Sequence, residues 1–296
     1  MYDYEYIKNK VNIPLSILDE IDSSNEEAKR RIISGEKEDF VIVARKQTAG
    51  KGRKGRSFYS PKDTGIYLTF THFTSSSVEE SLSVTIASSV IVYRVLKEVL
   101  GTDCKIKWVN DLYFCERKVC GILCEWSMGN AFEGIENAIV TGIGINISTD
   151  DFPDEIRQKA GSLINDKSLF INEKTDNKDC NNHAEYKDNT DSDVHIDHMD
   201  SKDNNEFKGS YADDIVSGII NGLKEYFKEN NLSLYMDDYR NNSMVLGRKV
   251  ELSGAEGVFA KGLASAFTDK GELVITLDDG TNRIIDSGEI SLIFAD

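Results

Sequence analysis

Residues 165–208 divide the chain. Of these 44 residues 17 are Asn or Asp, the tract carries 6 Lys against 12 acidic side chains, and no apolar periodicity runs through it. Such a composition buries too little apolar surface to offset its ordering entropy, and it predicts a disordered or poorly ordered insertion. Any core must be built from the segments on either side. The full chain has 296 residues, 40% of them hydrophobic, enough for about two domains at roughly 150 residues each. The pattern predicts one domain over 1–244, interrupted by the insertion at 165–208, and a second over 245–296.

Before the insertion, short runs rich in Val, Ile, Tyr and Phe predict strands at Ser16–Ile21, Phe40–Arg45, Gly65–His72, Lys105–Trp108, Leu112–Cys115, Val119–Trp126 and Ala138–Ile147. Two helices are predicted among them. One runs Asn25–Ser34 with Ser24 as its N-cap. The other runs Val78–Leu100 from a capping-box pattern at Ser77 and Glu80 to a stop at Gly101. Only Glu116, Arg117 and Lys118 separate the fifth and sixth strands, which predicts a hairpin with Lys118 at its tip. After the insertion, Ile215, Ile219, Ile220, Leu223 and Phe227 recur at helical spacing over Ala212–Lys228, and Leu232–Arg240 continues as a shorter helix. From Gly247 the period changes to short strands, Lys249–Leu252, Gly257–Phe267, Glu272–Leu277, Arg283–Asp286 and Ile290–Phe294. Ser-Gly and Asp-Gly turns punctuate them, as in a small β-barrel.

The charge balance, 35 basic against 51 acidic residues for a net −16, repels polyanions and argues against general nucleic-acid binding. The longest apolar run, Leu82–Leu96, is broken by Ser83, Thr85, Ser88, Ser89 and Arg94, which predicts a buried helix and excludes a membrane span there. No basic, apolar leader opens the sequence, and five cysteines, an odd number, favour free thiols in a reducing compartment. The expected location is the cytoplasm.

Against that acidic background Gln47-Thr48-Ala49-Gly50-Lys51-Gly52-Arg53-Lys54-Gly55-Arg56-Ser57-Phe58-Tyr59-Ser60-Pro61 is anomalous. Glycines admit close backbone approach, and Lys51, Arg53, Lys54 and Arg56 concentrate four cations, which suits a phosphate or carboxylate ligand. Gly50, Gly52 and Gly55 also satisfy G-x-G-x-x-G. A dinucleotide site would need a helix to begin at the third glycine. Ser60-Pro61-Lys62-Asp63 leads into a strand instead, so that reading fails. A solvated basic loop without a ligand is the bland alternative. A second segment, Lys105-Ile106-Lys107-Trp108-Val109-Asn110-Asp111, runs on to Lys118 and Gly121; singly, Trp108 reads as core, Asp111 as a turn former and Lys118 as a solvated lysine. A third, Thr141-Gly142-Ile143-Gly144-Ile145-Asn146-Ile147, puts glycines where a strand needs side chains, a mark of close approach by a ligand or neighbour. Cys180-x-x-His183 and His195-x-x-His198 have spacings a zinc site could use, but in a polar low-complexity tract chance is the favoured reading.

These segments, with Asp22-Ser23-Ser24-Asn25 upstream, resemble the motifs of the biotin protein ligase family over 15–165 and again over 211–296, including Ser287-Gly288-Glu289-Ile290-Ser291-Leu292. Lys51 stands where the family usually has Arg, Phe58 where it commonly has Trp, Val109 where it has Pro, and the long acidic insertion replaces a short connection. The resemblance implies an α+β fold: a mixed β-sheet catalytic domain of the biotin/lipoate ligase type with helices on one side, then a small SH3-like β-barrel. It implies an ATP-dependent, AMP-forming ligase that makes biotinyl-5′-AMP and passes biotin to a lysine of a biotin-dependent carboxylase or biotin carboxyl carrier protein. Biotin, ATP and Mg²⁺ are the implied small molecules. About twenty residues precede Ser23, too few for the helix-turn-helix of repressor-type members, so no DNA partner is expected. A homodimer is compatible with the resemblance, and the sequence leaves the oligomeric state open.

Carried over by motif, the implied biotin-binding residues are Ser23, Ser24, Asn25, Gln47, Gly50, Lys51, Gly52, Arg53, Lys118 and Gly121. The implied ATP-binding residues are Arg53, Arg56, Phe58, Lys107, Asn110, Lys118 and Asn146, with Phe58 over adenine. Lys118, Arg53 and Asp111 are the implied catalytic residues, and no protein-only metal site is implied, since Mg²⁺ comes with ATP. A lipoate or octanoate ligase or acyltransferase of the same fold is the alternative, and a noncatalytic regulator is a third reading disfavoured by the missing helix-turn-helix. Deleting 165–208 and joining the ends by a short linker is expected to leave adenylate formation within about twofold of the parent; loss of activity in a still-folded deletion would tie the insertion to the site.

Overall fold

The computed structural model describes residues 2–74, 81–129, 137–164, 210–254, 257–286 and 289–292. The insertion at 165–208, the Ser77–Glu80 capping box and all four zinc-spaced residues lie outside them. Seven strands form one mixed sheet in the order β1-β2-β3-β7-β6-β5-β4. They are β1 Leu15–Leu18, β2 Phe40–Ala44, β3 Gly65–Phe73, β4 Lys105–Lys107, β5 Asp111–Phe114, β6 Arg117–Ser127 and β7 Ala138–Asn146. Only the β1–β2 pair is parallel; every other neighbour is antiparallel. Five further strands, β8 Lys249–Gly254, β9 Gly257–Phe267, β10 Leu273–Thr276, β11 Asn282–Ile285 and β12 Glu289–Leu292, form a small antiparallel sheet in the order β11-β10-β9-β8-β12. This agrees with the small β-barrel expected from the turn-punctuated strands.

Alternation along the strands sorts the main sheet into two faces. Val41 and Val43 of β2, Ile66, Leu68 and Phe70 of β3, and Ile139, Ile143 and Ile145 of β7 are buried in one large core. Helices α3, Ser81–Leu100, and α5, Tyr211–Glu229, cover that face, with α1, Tyr4–Val11, and α6, Ser233–Asn241, packed against them. The interleaved residues Phe40, Ile42, Ala138 and Val140 point the other way and form a second, smaller cluster with Ala28 and Ile32 of α2, Ser24–Ile33. Helices therefore lie on both faces, not on one side as expected, because α2 covers part of the opposite face. A short helix, α4, spans Asp154–Arg157.

Two local expectations are corrected. Helix α2 begins at Ser24 with Ser23 at the N-cap, one residue earlier than the pattern suggests, and Ser24 does not cap it. Its side chain is engaged elsewhere, as described below. The β5–β6 hairpin turns through only Cys115 and Glu116, both at positive φ (47° and 62°), the geometry of a two-residue hairpin loop. Lys118 is thus inside β6 and not at a tip. Across this pair Leu112 faces Cys120 while Tyr113 faces Lys118, so Val119 is an extra, bulged residue. Val119, Cys120 and Ile122 all point into the core. The bulge turns Lys118 onto the face that carries Gly121 and Leu123.

The second sheet is locked to the first. Val250, Leu252, Ala264, Leu273 and Ile275 join the main core, and Trp108 Nε1 donates to the Gly271 carbonyl at 3.1 Å. Trp108 is 4% exposed, in keeping with its reading as core. Four of the five cysteines, Cys104, Cys115, Cys120 and Cys124, are free thiols. No helix among the described residues is long and apolar enough to cross a membrane.

The amino-terminal segment is tied down by Asp213. Its carboxylate closes a capping box with Ser210 at the start of α5 and accepts from the Asp3 backbone N–H at 3.0 Å, while burial pushes the carboxyl above its usual range despite these bonds. Asp213→Ala removes the carboxylate's half of the capping box and the tether together. It is expected to cost about 1–2 kcal/mol, a fall of about 3–6 °C in Tm by calorimetry at this size; an unchanged Tm would show that neither bond matters.

Candidate active site

The face of the sheet left bare beyond α2 is a cleft of about 170 Å³. Its floor is glycine. Gly142 and Gly144 of β7 and Gly121 of β6 all line it, and a Cβ on Gly142 would lie 2.2 Å from Asn25 Oδ1, one on Gly144 2.6 Å from the Phe58 ring. Side chains there would fill the space that Asn25 and Phe58 now use. The expectation of close approach at these glycines is met first by the protein's own side chains.

One wall is the N-terminus of α2. Ser23, Ser24 and Asn25, all under 5% exposed, line the cleft with the positive end of the helix behind them. Gln47 Oε1 accepts from both the backbone N–H of Ser24 at 2.8 Å and its hydroxyl at 3.0 Å, and Gln47 Nε2 donates to Ser60 Oγ at 3.0 Å. Thr69 donates to Asn25 Oδ1 at 2.7 Å, while Asn25 Nδ2 is spent on Glu125 Oε2 at 2.9 Å and the Leu123 carbonyl at 3.4 Å. These bonds leave the two amides with opposite remaining capacity. Gln47 keeps a spare N–H donor, whereas Asn25 keeps a spare lone pair. A ligand group carrying both a carbonyl and an N–H, such as a ureido ring, matches that pair.

The second wall is the glycine-rich loop, Gly50–Phe58. It folds on itself through Gly52 N–H to the Arg56 carbonyl at 2.7 Å and Phe58 N–H to the Gly50 carbonyl at 2.8 Å, turning through Lys54 and Gly55 at positive φ (56° and 73°). No helix follows, so the dinucleotide reading stays excluded. Gly50 does not line the cleft; it packs under the loop, where a Cβ would lie 2.5 Å from the Phe58 carbonyl. Arg53 Nη1 reaches across the cleft to donate to Asn110 Oδ1 at 3.1 Å. Asn110 is held in turn by Nδ2 to the Ile122 carbonyl at 2.7 Å.

The third wall is the β4–β6 end. Lys118 Nζ lies 2.7 Å from Asp111 Oδ1, with side chains 33% and 22% exposed. Lys107 Nζ sits 5.5 Å over the Tyr113 ring. Burial, with Asp111 nearby, pushes the Tyr113 hydroxyl up to about 12, so it stays protonated. Six cations, Lys51, Arg53, Lys54, Arg56, Lys107 and Lys118, line a cleft whose only lining carboxylate among the described residues is Asp111.

Of the sixteen residues singled out by motif, all but Gly50 and Asn146 line this one cleft. Asn146 is 4% exposed at the end of β7, where its Nδ2 donates to the Gly161 carbonyl at 3.1 Å. Thr69, which orients Asn25, carries no local motif signal of its own. A threonine inside the apolar run Ile66–Phe70, on the parity opposite to the core residues, is the one clue that could have found Thr69.

The profile of the biotin/lipoate A/B protein ligase family matches residues 18–146, and that of the biotin protein ligase C terminal domain matches 245–293. The bifunctional ligase/repressor BirA of Bacillus spizizenii is 33% identical over 147 residues, 49% of this chain and 44% of that protein. The biotin--[acetyl-CoA-carboxylase] ligase of Paracoccus denitrificans is 32% identical over 136 residues, 43% of this chain and 52% of that protein. The chain thus spans about half the length of these relatives. In fold it is similar to the biotin protein ligase from Aquifex aeolicus in complex with biotin and ATP, with a TM-score of 0.67 at 24% identity, covering 95% of this chain and 99% of that one.

Gly142→Ala is expected to displace Asn25 and the α2 N-terminus at a cost of about 1–3 kcal/mol, a Tm lower by about 3–9 °C. Gly52→Ala, whose Cβ would meet nothing closer than 3.4 Å, is expected to leave Tm within about 1 °C. Equal melting of the two variants would refute the packing argument. The motifs gather in one cleft, and the segment that carries them, residues 18–146, matches the biotin/lipoate A/B protein ligase family, while residues 245–293 match the biotin protein ligase C terminal domain.

Proposed function

We propose that the cleft binds biotin and ATP, joins them as biotinyl-5′-AMP, and passes the biotinyl group to a lysine of a biotin-dependent carboxylase or its carrier domain. The observation that carries this reading is the convergence of six cations on a glycine floor in a chain of net charge −16. In the first half-reaction a carboxylate oxygen bonds to the α-phosphorus, the bond to the β-phosphate oxygen breaks, and pyrophosphate leaves. Two anions must therefore meet while charge grows on the leaving group, and preorganised cations lower that barrier. In the second half-reaction a lysine amine attacks the carbonyl of the mixed anhydride, AMP leaves, and the amine gives up a proton.

In this reading Ser23, Ser24, Asn25 and Gln47 take the biotin head group, its ureido carbonyl facing the spare Gln47 N–H and a ring N–H facing the spare Asn25 lone pair. Gly50, Lys51, Gly52 and Arg53 fold over it, and Gly121 gives the backbone room beside Lys118. Lys118 sits at the carboxylate and then at the acyl phosphate, with Arg53, Arg56, Lys107, Asn110 and Asn146 toward the nucleotide and Phe58 against adenine. Asp111, beside Lys118, is placed to accept the proton of the incoming lysine. Asp111 offers the cleft one carboxylate, which fits a magnesium ion that would be held mainly by the ATP phosphates. That ion supplies further neutralisation of the phosphate charge. The site of action in this reading is the cytoplasm.

Incubation with ATP, Mg²⁺ and either biotin or lipoate, followed by mass detection of the adenylate, tests the reading. Biotinyl-adenylate is expected; lipoyl-adenylate alone would overturn it. Lys118→Ala is expected to slow single-turnover biotinyl-adenylate formation at saturating substrates on the order of 10²-fold, since a preorganised donor at developing charge acts mainly on the transition state. A rate within about twofold of the parent would show that Lys118 is not catalytic.

A further inference from the structure

The glycine-rich loop is pinned on both banks of the cleft. On the β4–β6 side the pin is Arg53 on Asn110. On the α2 side it is an ion-pair ladder that joins Lys51 to Glu26, Lys29 and Glu125. Lys51 Nζ lies 2.8 Å from Glu26 Oε1, Lys29 Nζ lies 3.0 Å from the same oxygen and 2.7 Å from Glu125 Oε1, and the other Glu125 oxygen accepts from Asn25 Nδ2 at 2.9 Å. Four charges thus run in alternation from the loop to Asn25 on the cleft wall. Lys51, beside which the Glu26 carboxyl is held below its usual range, is 45% exposed and Glu26 30%.

From this geometry we propose that Glu26 is a positioning residue for the glycine-rich loop: one carboxylate oxygen shared by Lys29 and Lys51 holds the loop against α2 and links it to Asn25. A lone exposed ion pair contributes little, but here the carboxylate also separates two cations that bind the same oxygen. Neutralising it replaces two attractions by a repulsion between Lys29 and Lys51. The loop then loses this tie to α2, while Arg53 still donates to Asn110 on the other bank. In the proposed reaction, on which the ligand arm of the test rests, a loop held at both ends retains biotin and shields the mixed anhydride from water.

Glu26→Gln keeps the shape and removes the charge. The loop offers trypsin Lys51, Arg53, Lys54 and Arg56, so native-state cleavage mapped by mass spectrometry reads its opening without any ligand. Glu26→Gln is expected to speed loop cleavage about fivefold and leave cleavage at sites elsewhere, such as Lys37, unchanged. Lys51→Met should act alike at the remaining loop sites, and the double variant should cleave no faster than the faster single one. Cleavage of Glu26→Gln at the parental rate, or multiplication of the two effects, overturns the assignment. In the ligand arm, biotin is expected to leave Glu26→Gln about fivefold faster; equal dissociation rates overturn the role in retention. If the parent itself does not bind biotin, the proposed function fails, and the ligand-free cleavage still decides whether Glu26 holds the loop.

Discussion

A strand has two faces, and in this protein they cannot both be filled. The seven-stranded sheet buries one face under α3 and α5 and leaves part of the other open as the cleft. Everything at the site follows from that division. Residues of one parity must be large and apolar, and those of the other must shrink to glycine at the floor, become polar at Thr69 and Glu125, or carry charge at Lys107, Asp111 and Lys118. A one-residue slip anywhere would exchange the two sets. Helix α2 then determines how much of the open face stays open, since Ala28 and Ile32 cover only the end built from Phe40, Ile42, Ala138 and Val140.

The electrostatics repeat the same division at longer range. A chain of net charge −16 discourages polyanions over most of its surface, yet the cleft is lined by cations supplied from separate elements, the glycine-rich loop, β4 and β6. Gathering them in one place has an electrostatic cost that the structure meets with local carboxylates. Asp111 lies against Lys118, and Glu26 against Lys51. The cleft is therefore a local positive field within an opposing general one.

Much of this was legible in the sequence because it is written in local periodicity and in short motifs. The strands of both sheets, the long helices and the clustering of loop and strand motifs into one cleft are all of that kind. Helix α1 was not foreseen, since its stability comes from Ile7 and Val11 entering a distant core and from Asp213, far along the chain. The N-cap of α2 was misplaced for a related reason. Ser24 has the chemistry of a cap, but its hydroxyl meets Gln47 and Thr69, partners only tertiary structure supplies. The second covered face of the sheet was missed because β2 is apolar throughout, and an unbroken apolar run does not say which neighbour covers each side. Composition puts Lys118 in a turn, because the extra residue that places it in a strand is a matter of pairing.

That extra residue, Val119, means that the distance along the chain from Lys118 to Gly121 is as much a part of the site as either residue. Two intervening positions, one of them bulged, put the ammonium and the bare backbone on the same side; a deletion of one residue there would leave every motif letter intact while turning the lysine toward the hydrophobic core. Over evolutionary time such a strand should accept changes of side chain more readily than changes of length, the reverse of what surface loops tolerate. Homologous chains aligned by residue identity alone would register the lysine and the glycines but not the spacing that makes them face one another.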